Sequence, residues 1–119
     1  MLLEDKRRKM IKDKIIAVDF DGTLVEDKFP EIGKPKQNII NKCKELQKDN
    51  SLILWTCRHG TYLEEAVNFC EKQGLIFTAI NDDCKRYIEK WKDDRSKKIS
   101  AHYYIDDRAV NVNDFEKQF

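Results

Sequence analysis

Glycine, proline and histidine are scarce in this sequence of 119 residues, with four, two and two copies respectively. Four glycines are too few for the glycine-rich loops with which many nucleotide-binding enzymes hold phosphate. The four cysteines include no Cys-x-x-Cys pair, and with only two scattered histidines they do not match the usual zinc-site spacings. We therefore expect any bound metal to be a hard cation with oxygen ligands.

Long apolar runs and a net charge of one sign are also missing. The longest runs, at residues 15–18 and 52–55, are far too short to cross a bilayer. Lysine and arginine number 23 against 22 for aspartate and glutamate, so the overall charge does not favour a membrane or nucleic-acid partner. The highly charged N-terminus does not resemble a secretory signal, and reduced cysteines are expected, which indicates a cytoplasmic protein.

The remaining sequence alternates between strand-like and helix-like segments, which predicts one α/β domain over residues 15–119. Regular alternation favours a Rossmann-like, three-layer arrangement with a central parallel sheet. Thr61 and Glu64 are predicted to form a capping box at the start of the second helix, which Gly74 ends. Residues 1–14 are predicted to form a basic N-terminal extension, with an amphipathic helix favoured over a frayed basic lead. The predicted strands cover residues 15–20, 52–56, 75–80 and 103–105, and the predicted helices cover residues 37–48, 61–73 and 82–91.

Acidic residues follow two of the predicted strands. Asp19 and Asp21 lie at the carboxyl end of the first strand, and Asp106 and Asp107 lie at that of the fourth. The carboxyl ends of parallel strands meet at one edge of the sheet, where ligands bind. Four carboxylates at one edge repel each other unless a cation neutralises them, and Mg²⁺ is the expected cation. Helix capping would explain Asp107 alone, but it does not explain four acids at two strand ends.

The DFDGTL segment at residues 19–24, a strand ending in Thr56, a lysine before the last strand and the Asp106–Asp107 pair form one ordered pattern. From about residue 15 to residue 108, this pattern resembles the haloacid dehalogenase (HAD) superfamily of phosphohydrolases. The resemblance implies a Mg²⁺-dependent phosphomonoester hydrolase in which Asp19 takes the phosphoryl group and Asp21 serves as general acid and then as general base.

The resemblance also implies roles for the remaining site residues. Mg²⁺ would be held by Asp19, the main-chain carbonyl of Asp21, Asp106 and Asp107. The Thr56 hydroxyl and a lysine would bind the phosphoryl oxygens, with Lys98 the first choice and Lys97 close behind.

Gly22 would let the chain turn sharply beside the substrate, and with Thr23 it is predicted to line the substrate site. Arg58 either grips a second anionic group of the substrate or pairs with a neighbouring acid. Cys57 is predicted to be a small filler behind Thr56, and His59 a loop residue.

No space is left in the chain for an additional cap domain, because residues 24–35 suffice only for a flap. We therefore expect an open site that accepts a phosphorylated small metabolite or the end of a macromolecule, with nucleic acid only as a substrate. A homo-oligomer is an alternative in which a partner subunit covers the site. The alternative function is a phosphoacceptor or phospho-ligand-binding module without turnover.

Related folds continue into a further helix after the last strand, whereas this chain ends at Phe119. The N-terminal extension is therefore expected to cover that part of the sheet.

Overall fold

The computed structural model describes residues 10–119 and has one parallel sheet with the strand order β3-β2-β1-β4. Three helices connect successive strands, and a short 3₁₀ turn (Val112–Asp114) leads into a final helical turn. This architecture confirms the predicted α/β, Rossmann-like domain. The strands are β1 (Ile15–Val18), β2 (Ser51–Leu54), β3 (Ala79–Ile80) and β4 (Tyr103–Ile105), and the helices are α1 (Gln37–Leu46), α2 (Gly60–Lys72), α3 (Lys85–Trp91) and α4 (Phe115–Gln118).

The two central strands are buried on both faces, which explains why their sequences are continuous apolar runs. Ile16 and Val18 of β1 belong to the core cluster that also contains buried residues of α1 and α2. Ile15 and Ala17 point to the opposite face and pack in a second cluster with Cys84, next to α3. Helices therefore cover both faces of the sheet.

The order of the strands creates a switch point between β1 and β4. From β1 the chain moves outward to β2 and β3, with α1 and α2 on one face. It then returns to the other side of β1 to form β4, with α3 on the opposite face. Crevices at such switch points, beyond the carboxyl ends of the strands, are the usual ligand sites of open α/β sheets.

Helix α2 begins earlier than the predicted capping box. Leu63 N donates to the His59 carbonyl at 3.2 Å, so the first turn starts at His59 and Thr61 lies inside the helix. The prediction of Thr61 as the capping residue is therefore wrong. The predicted helix end is confirmed, because Gly74 follows the helix with a φ of +85°, in the left-handed region that glycine adopts without strain.

The third strand is shorter than predicted. Only Ala79–Ile80 pairs with β2. The amide of Leu75 donates to the Cys70 carbonyl, and the amide of Ile76 donates to the Gln47 side chain. These two hydrogen bonds take both amides away from the sheet, so residues 75–77 are an irregular segment, and the contact with β2 begins at Thr78 N, which donates to the Leu52 carbonyl.

Residues 10–14, the first that the structure describes, contact the rest of the domain but do not form a helix. Residues 10–14 are irregular, so the predicted helix is wrong there; residues 1–9, which carry the rest of the predicted extension, lie outside the described residues. Ile11 packs against the larger core cluster, and Asn50 bridges the Ile11 carbonyl and the Lys14 amide at 3.0 Å each. Within residues 10–119, no helix combines the length and apolar composition needed to cross a membrane.

Candidate functional site

Three predicted metal-binding carboxylates converge at the carboxyl ends of β1 and β4. Val18 pairs with Ile105 in the sheet, and Asp19 N donates to the Ile105 carbonyl at 2.9 Å, so the residues that follow both strands are neighbours. Asp19, Asp106 and Asp107 each offer one carboxylate oxygen, and these three oxygens lie within 4.8 Å of one another. The structure therefore brings together side chains that are separated by more than 80 residues of sequence.

The electrostatics of this cluster favour a bound cation. Burial raises the pKa of Asp19 to about 6, and the nearby charges of Asp106 and Asp107 also raise it, against a lowering contribution from the Phe20 backbone hydrogen bond. A divalent cation among the three carboxylates would remove this repulsion. The donor set consists of oxygen ligands alone, which suits Mg²⁺.

The turn after β1 shapes the cluster. The amides of residues 23, 24 and 25 all point to the Phe20 carbonyl. Gly22 has a φ of +88°, and a Cβ atom at this position would overlap the Asp107 carboxylate. Glycine is therefore needed here both for the backbone conformation and for the close approach of Asp107.

The Thr23 side chain contacts two of the three clustered carboxylates. Its buried hydroxyl accepts a hydrogen bond from Asp107 N at 3.0 Å and lies 3.4 Å from both Asp19 Oδ2 and Asp107 Oδ1. Among residues 10–119, neither Gly22 nor Thr23 lines the cavity at this edge of the sheet. The structure thus places both predicted substrate-binding residues behind the carboxylates, where they position Asp19 and Asp107.

Asp21 points away from the three clustered carboxylates and forms an ion pair with Arg58. Arg58 Nε and Nη2 each donate to one Asp21 carboxylate oxygen at 2.8 Å, a bidentate geometry. The hydrogen bond to Asp21 raises the pKa of Arg58, with burial as the main opposing effect. Asp21 keeps 18% of its side chain exposed and lines the cavity.

Arg58 itself is only 2% exposed, and each of its five N–H groups has a partner. Besides Asp21, the guanidinium donates to the main-chain carbonyls of Pro30, Glu31 and Tyr62 at 3.0–3.3 Å. The sequence left two roles open for Arg58, and the structure shows one of them, the ion pair with a neighbouring acid. Binding of a second substrate anion by Arg58 would require at least one of these hydrogen bonds to be broken.

Thr56 and Cys57 follow β2 at the same edge. The Thr56 hydroxyl oxygen accepts a hydrogen bond from Arg58 N at 3.1 Å, which leaves its hydrogen available to a ligand in the cavity. Asn81 accepts a hydrogen bond from Thr56 N at 2.8 Å and so fixes the position of this residue. Cys57 is exposed and lines the cavity, so its prediction as a filler behind Thr56 is wrong.

Neither predicted phosphate-binding lysine is brought to the acidic cluster. Lys98 Nζ lies 5.5 Å from the ring centroid of Tyr104, and Lys97 lines a separate cavity beside Asp82 and Asp83. Within the described range, the cavity over Asp19 is lined by neither of them. The segment that carries both lysines is anchored by Asp83, which accepts hydrogen bonds from Arg95 and from the Ser100 amide. A phosphate-binding role for Lys98 stays a prediction.

The cavity at this edge has a volume of about 470 Å³, within the usual range of small-molecule sites. Three of its lining residues, Asp27, Phe29 and Arg108, are not among the predicted site residues, although Phe29 lies in the predicted flap at residues 24–35. Arg108 follows Asp107 directly, and this adjacency was the available signal. The full lining consists of Asp19, Asp21, Asp27, Phe29, Thr56, Cys57, Arg58, Asp106 and Arg108.

Comparison with known proteins gives one informative similarity. No protein-family model and no curated protein matches the chain. A solved structure of a conserved protein coded by a locus of Bacteroides thetaiotaomicron is 41% identical in sequence, with a TM-score of 0.73. The similarity covers 83% of this chain and 79% of the other. At this identity and coverage, the chain belongs to the same family as the conserved protein of Bacteroides thetaiotaomicron.

Proposed function

We propose that this protein is a Mg²⁺-dependent phosphomonoester hydrolase of the HAD type that acts through an aspartyl phosphate on Asp19. The observation that carries the proposal is the convergence of Asp19, Asp106 and Asp107, of which Asp19 and Asp106 line one open cavity together with Thr56 and Asp21. This set combines a carboxylate nucleophile, a cation site, a hydroxyl donor and a second carboxylate within one site.

In the first step, an Asp19 carboxylate oxygen attacks phosphorus while the bond from phosphorus to the ester oxygen breaks. Asp21, after it gives up at least one of its two hydrogen bonds from Arg58, passes a proton to the leaving oxygen, so an alcohol is released. In the second step, water attacks the phosphoryl group, Asp21 takes a proton from that water, and the bond between phosphorus and Asp19 breaks. Inorganic phosphate leaves and Asp19 is restored.

Mg²⁺ bound by Asp19, the Asp21 main-chain carbonyl, Asp106 and Asp107 would offset the repulsion between the Asp19 carboxylate and the phosphate. The three carboxylates fit such an ion because their oxygens already converge. The Thr56 hydroxyl would donate to a phosphoryl oxygen. Arg58 would hold the Asp21 carboxylate at the cavity wall with its two hydrogen bonds.

We further propose a cytoplasmic setting and a substrate that is a small phosphate ester or an accessible phosphorylated end. The free thiols of all four cysteines are compatible with this setting. The open cavity and the small flap suit a substrate that enters without the movement of a separate domain.

Turnover of p-nitrophenyl phosphate with Mg²⁺ tests the proposed function. The wild type should release many equivalents of p-nitrophenol, and EDTA should stop the release. Asp19→Asn should lower kcat by at least roughly 1,000-fold because the nucleophile is lost. Asp49→Asn is the matched control, since it makes the same chemical change at an exposed position after α1.

Other results would redirect the interpretation. Release of one equivalent followed by no further product would indicate a phosphoacceptor module, because the phosphoryl group would stay on the protein. An inactive wild type across aryl, sugar and nucleoside phosphates would contradict the hydrolase proposal.

A further inference from the structure

The cavity over Asp19 is lined by more residues than are required to contact a phosphoryl group. Asp19, Asp21, Thr56 and Asp106 serve the proposed reaction at phosphorus. Phe29, Asp27 and Arg108 line the same cavity and have no part in that reaction. These three residues are therefore candidates for contact with the leaving group.

Phe29 lies on the flap, lines the cavity and has 53% of its surface exposed. Its ring meets the Tyr62 ring edge-on, with centroids 5.3 Å apart and an interplanar angle of 68°. Tyr62 is also exposed, at 43%. The Arg58 guanidinium lies 5.1 Å from the Phe29 ring centroid and helps to hold the ring in place.

Residues other than Phe29 also anchor the flap. Ile32, on the same flap, packs against the larger core cluster, and the Arg58 side chain donates two hydrogen bonds to the carbonyls of Pro30 and Glu31. A backbone hydrogen bond from Glu26 N to the Lys34 carbonyl closes the base of the flap. The flap is thus anchored through other residues. An exposed aromatic ring that is held in place beside a cavity is suited to stack on a planar ligand.

Asp27 and Arg108 line the same cavity as this ring, and Asp27 Oδ1 accepts a hydrogen bond from Phe29 N at 3.4 Å. Arg108 Nη2 lies 3.5 Å from an Asp27 carboxylate oxygen, and the Arg108 side chain is 82% exposed. Exposed pairs of this kind are weak, so both groups are free to exchange partners when a ligand arrives. A guanidinium donor group and a carboxylate acceptor group in the same cavity as an aromatic ring match the polar edge of a heteroaromatic base better than a hydrocarbon ring.

We propose that the leaving group is a nucleoside, so that the substrate is a nucleoside monophosphate whose base stacks on Phe29. This inference rests on the proposed hydrolase function, and it names the substrate class of the same site. Arg108 and Asp27 then contact the polar edge of the base or the ribose. The phosphate lies over Asp19.

The test compares substrates that differ only by the base. The wild type should show a kcat/KM for AMP or UMP that is roughly 10- to 100-fold higher than for ribose 5-phosphate, as expected for one stacked base. Phe29→Leu should reduce this ratio to within about threefold of unity, because leucine keeps an apolar side chain but loses the aromatic face. The ratio is insensitive to changes at Asp19 or Asp21, since these changes affect both substrates.

Phe119→Leu is the matched control, because it makes the same change at an exposed ring directly after the C-terminal helix and should keep the wild-type ratio. Adenosine should inhibit the hydrolysis of p-nitrophenyl phosphate by the wild type, and ribose should not. Equal kcat/KM values for nucleotides and ribose 5-phosphate would overturn the nucleoside proposal and leave the hydrolase proposal standing.

Calorimetry separates the two proposals if no ester is hydrolysed. AMP should bind more tightly than ribose 5-phosphate to the wild type, and Phe29→Leu should remove the difference. That result would support the base-stacking site while the hydrolase proposal failed, whereas equal binding would overturn both.

Discussion

Asp19 is held in an environment that disfavours its charge when no cation is bound. Burial and the adjacent acids raise its pKa to about 6, well above the usual value of 3.8 for aspartate. Between these two pH values the folded protein binds more protons at this position than the unfolded chain does. The free energy of unfolding must therefore fall as the pH rises from about 4 to about 6, and the loss is complete at neutral pH.

Asp19→Asn is accordingly expected to stabilise the metal-free protein at pH 7 while it abolishes activity. Because Asp19 is about half-buried, we expect a gain of only about 1–2 kcal/mol. Urea unfolding in EDTA at several pH values measures the effect. The difference between variant and wild type should be small at pH 4 and largest above pH 6, and a difference that does not change with pH would contradict the assignment.

Gly22 is a position at which only glycine fits. Its φ of +88° disfavours any other residue, and the adjacent Asp107 carboxylate leaves no room for a Cβ atom. Gly22→Ala should destabilise the protein by about 1–3 kcal/mol and should displace Asp107 from the cluster. Gly60→Ala is the matched control, since Gly60 also has a positive φ but a Cβ atom there would meet no atom within 4 Å. Turnover with increasing Mg²⁺ distinguishes the variants: only Gly22→Ala should need more metal.

At the scale of structural elements, Arg58 connects three parts of the chain. Its guanidinium joins the turn after β1 through Asp21, the flap through Pro30 and Glu31, and the first turn of α2 through Tyr62. It also lies 5.0 Å from the Phe20 ring centroid. A planar group with five donors is needed to satisfy this set of acceptors.

Arg58→Lys should therefore destabilise the protein by about 2–4 kcal/mol, because an ammonium group with three donors leaves buried acceptors without partners. Arg108→Lys makes the same exchange at an exposed position of the same cavity and should change the stability by less than about 0.5 kcal/mol. Thermal unfolding of both variants measures the difference. Similar effects of the two substitutions would show that the buried network around Arg58 contributes little to the stability.

At the scale of the whole molecule, the site depends on the switch point between the parallel strands β1 and β4. The acids follow two strands that are adjacent in space and separated by the entire β2-to-α3 segment. A cation bound to Asp19 and Asp106 therefore links the beginning and the end of the described fold. Binding to the folded state alone must raise the stability of the whole domain.

Mg²⁺ should raise the melting temperature of the wild type at pH 7.5, at constant ionic strength. At one hundred times its dissociation constant, the stabilisation should reach about 2.7 kcal/mol. Asp106→Asn should reduce the shift strongly, and Asp49→Asn should keep it. A melting temperature that does not respond to Mg²⁺ would contradict the metal site without reference to any enzymatic assay.

The sequence predicted the layers of the fold well where burial is two-sided. The runs of β1 and β2 are apolar because both faces of these strands are covered, and this pattern is visible without a structure. The prediction was less accurate where one or two hydrogen bonds determine the boundary of a helix or strand. The start of α2 depends on the His59 carbonyl, and the shortening of β3 depends on the amides of Leu75 and Ile76.

The positions of Asp19, Asp106 and Asp107 at one edge were determined by the sequence alone, because parallel strands direct their carboxyl ends to the same side. The direction of the remaining side chains was decided only by the tertiary structure. Asp21 turns to a guanidinium 37 residues away, and Phe29 is exposed beside the acids because other flap residues supply the anchoring contacts. Such contacts join distant parts of the chain, and no local pattern of residues encodes them.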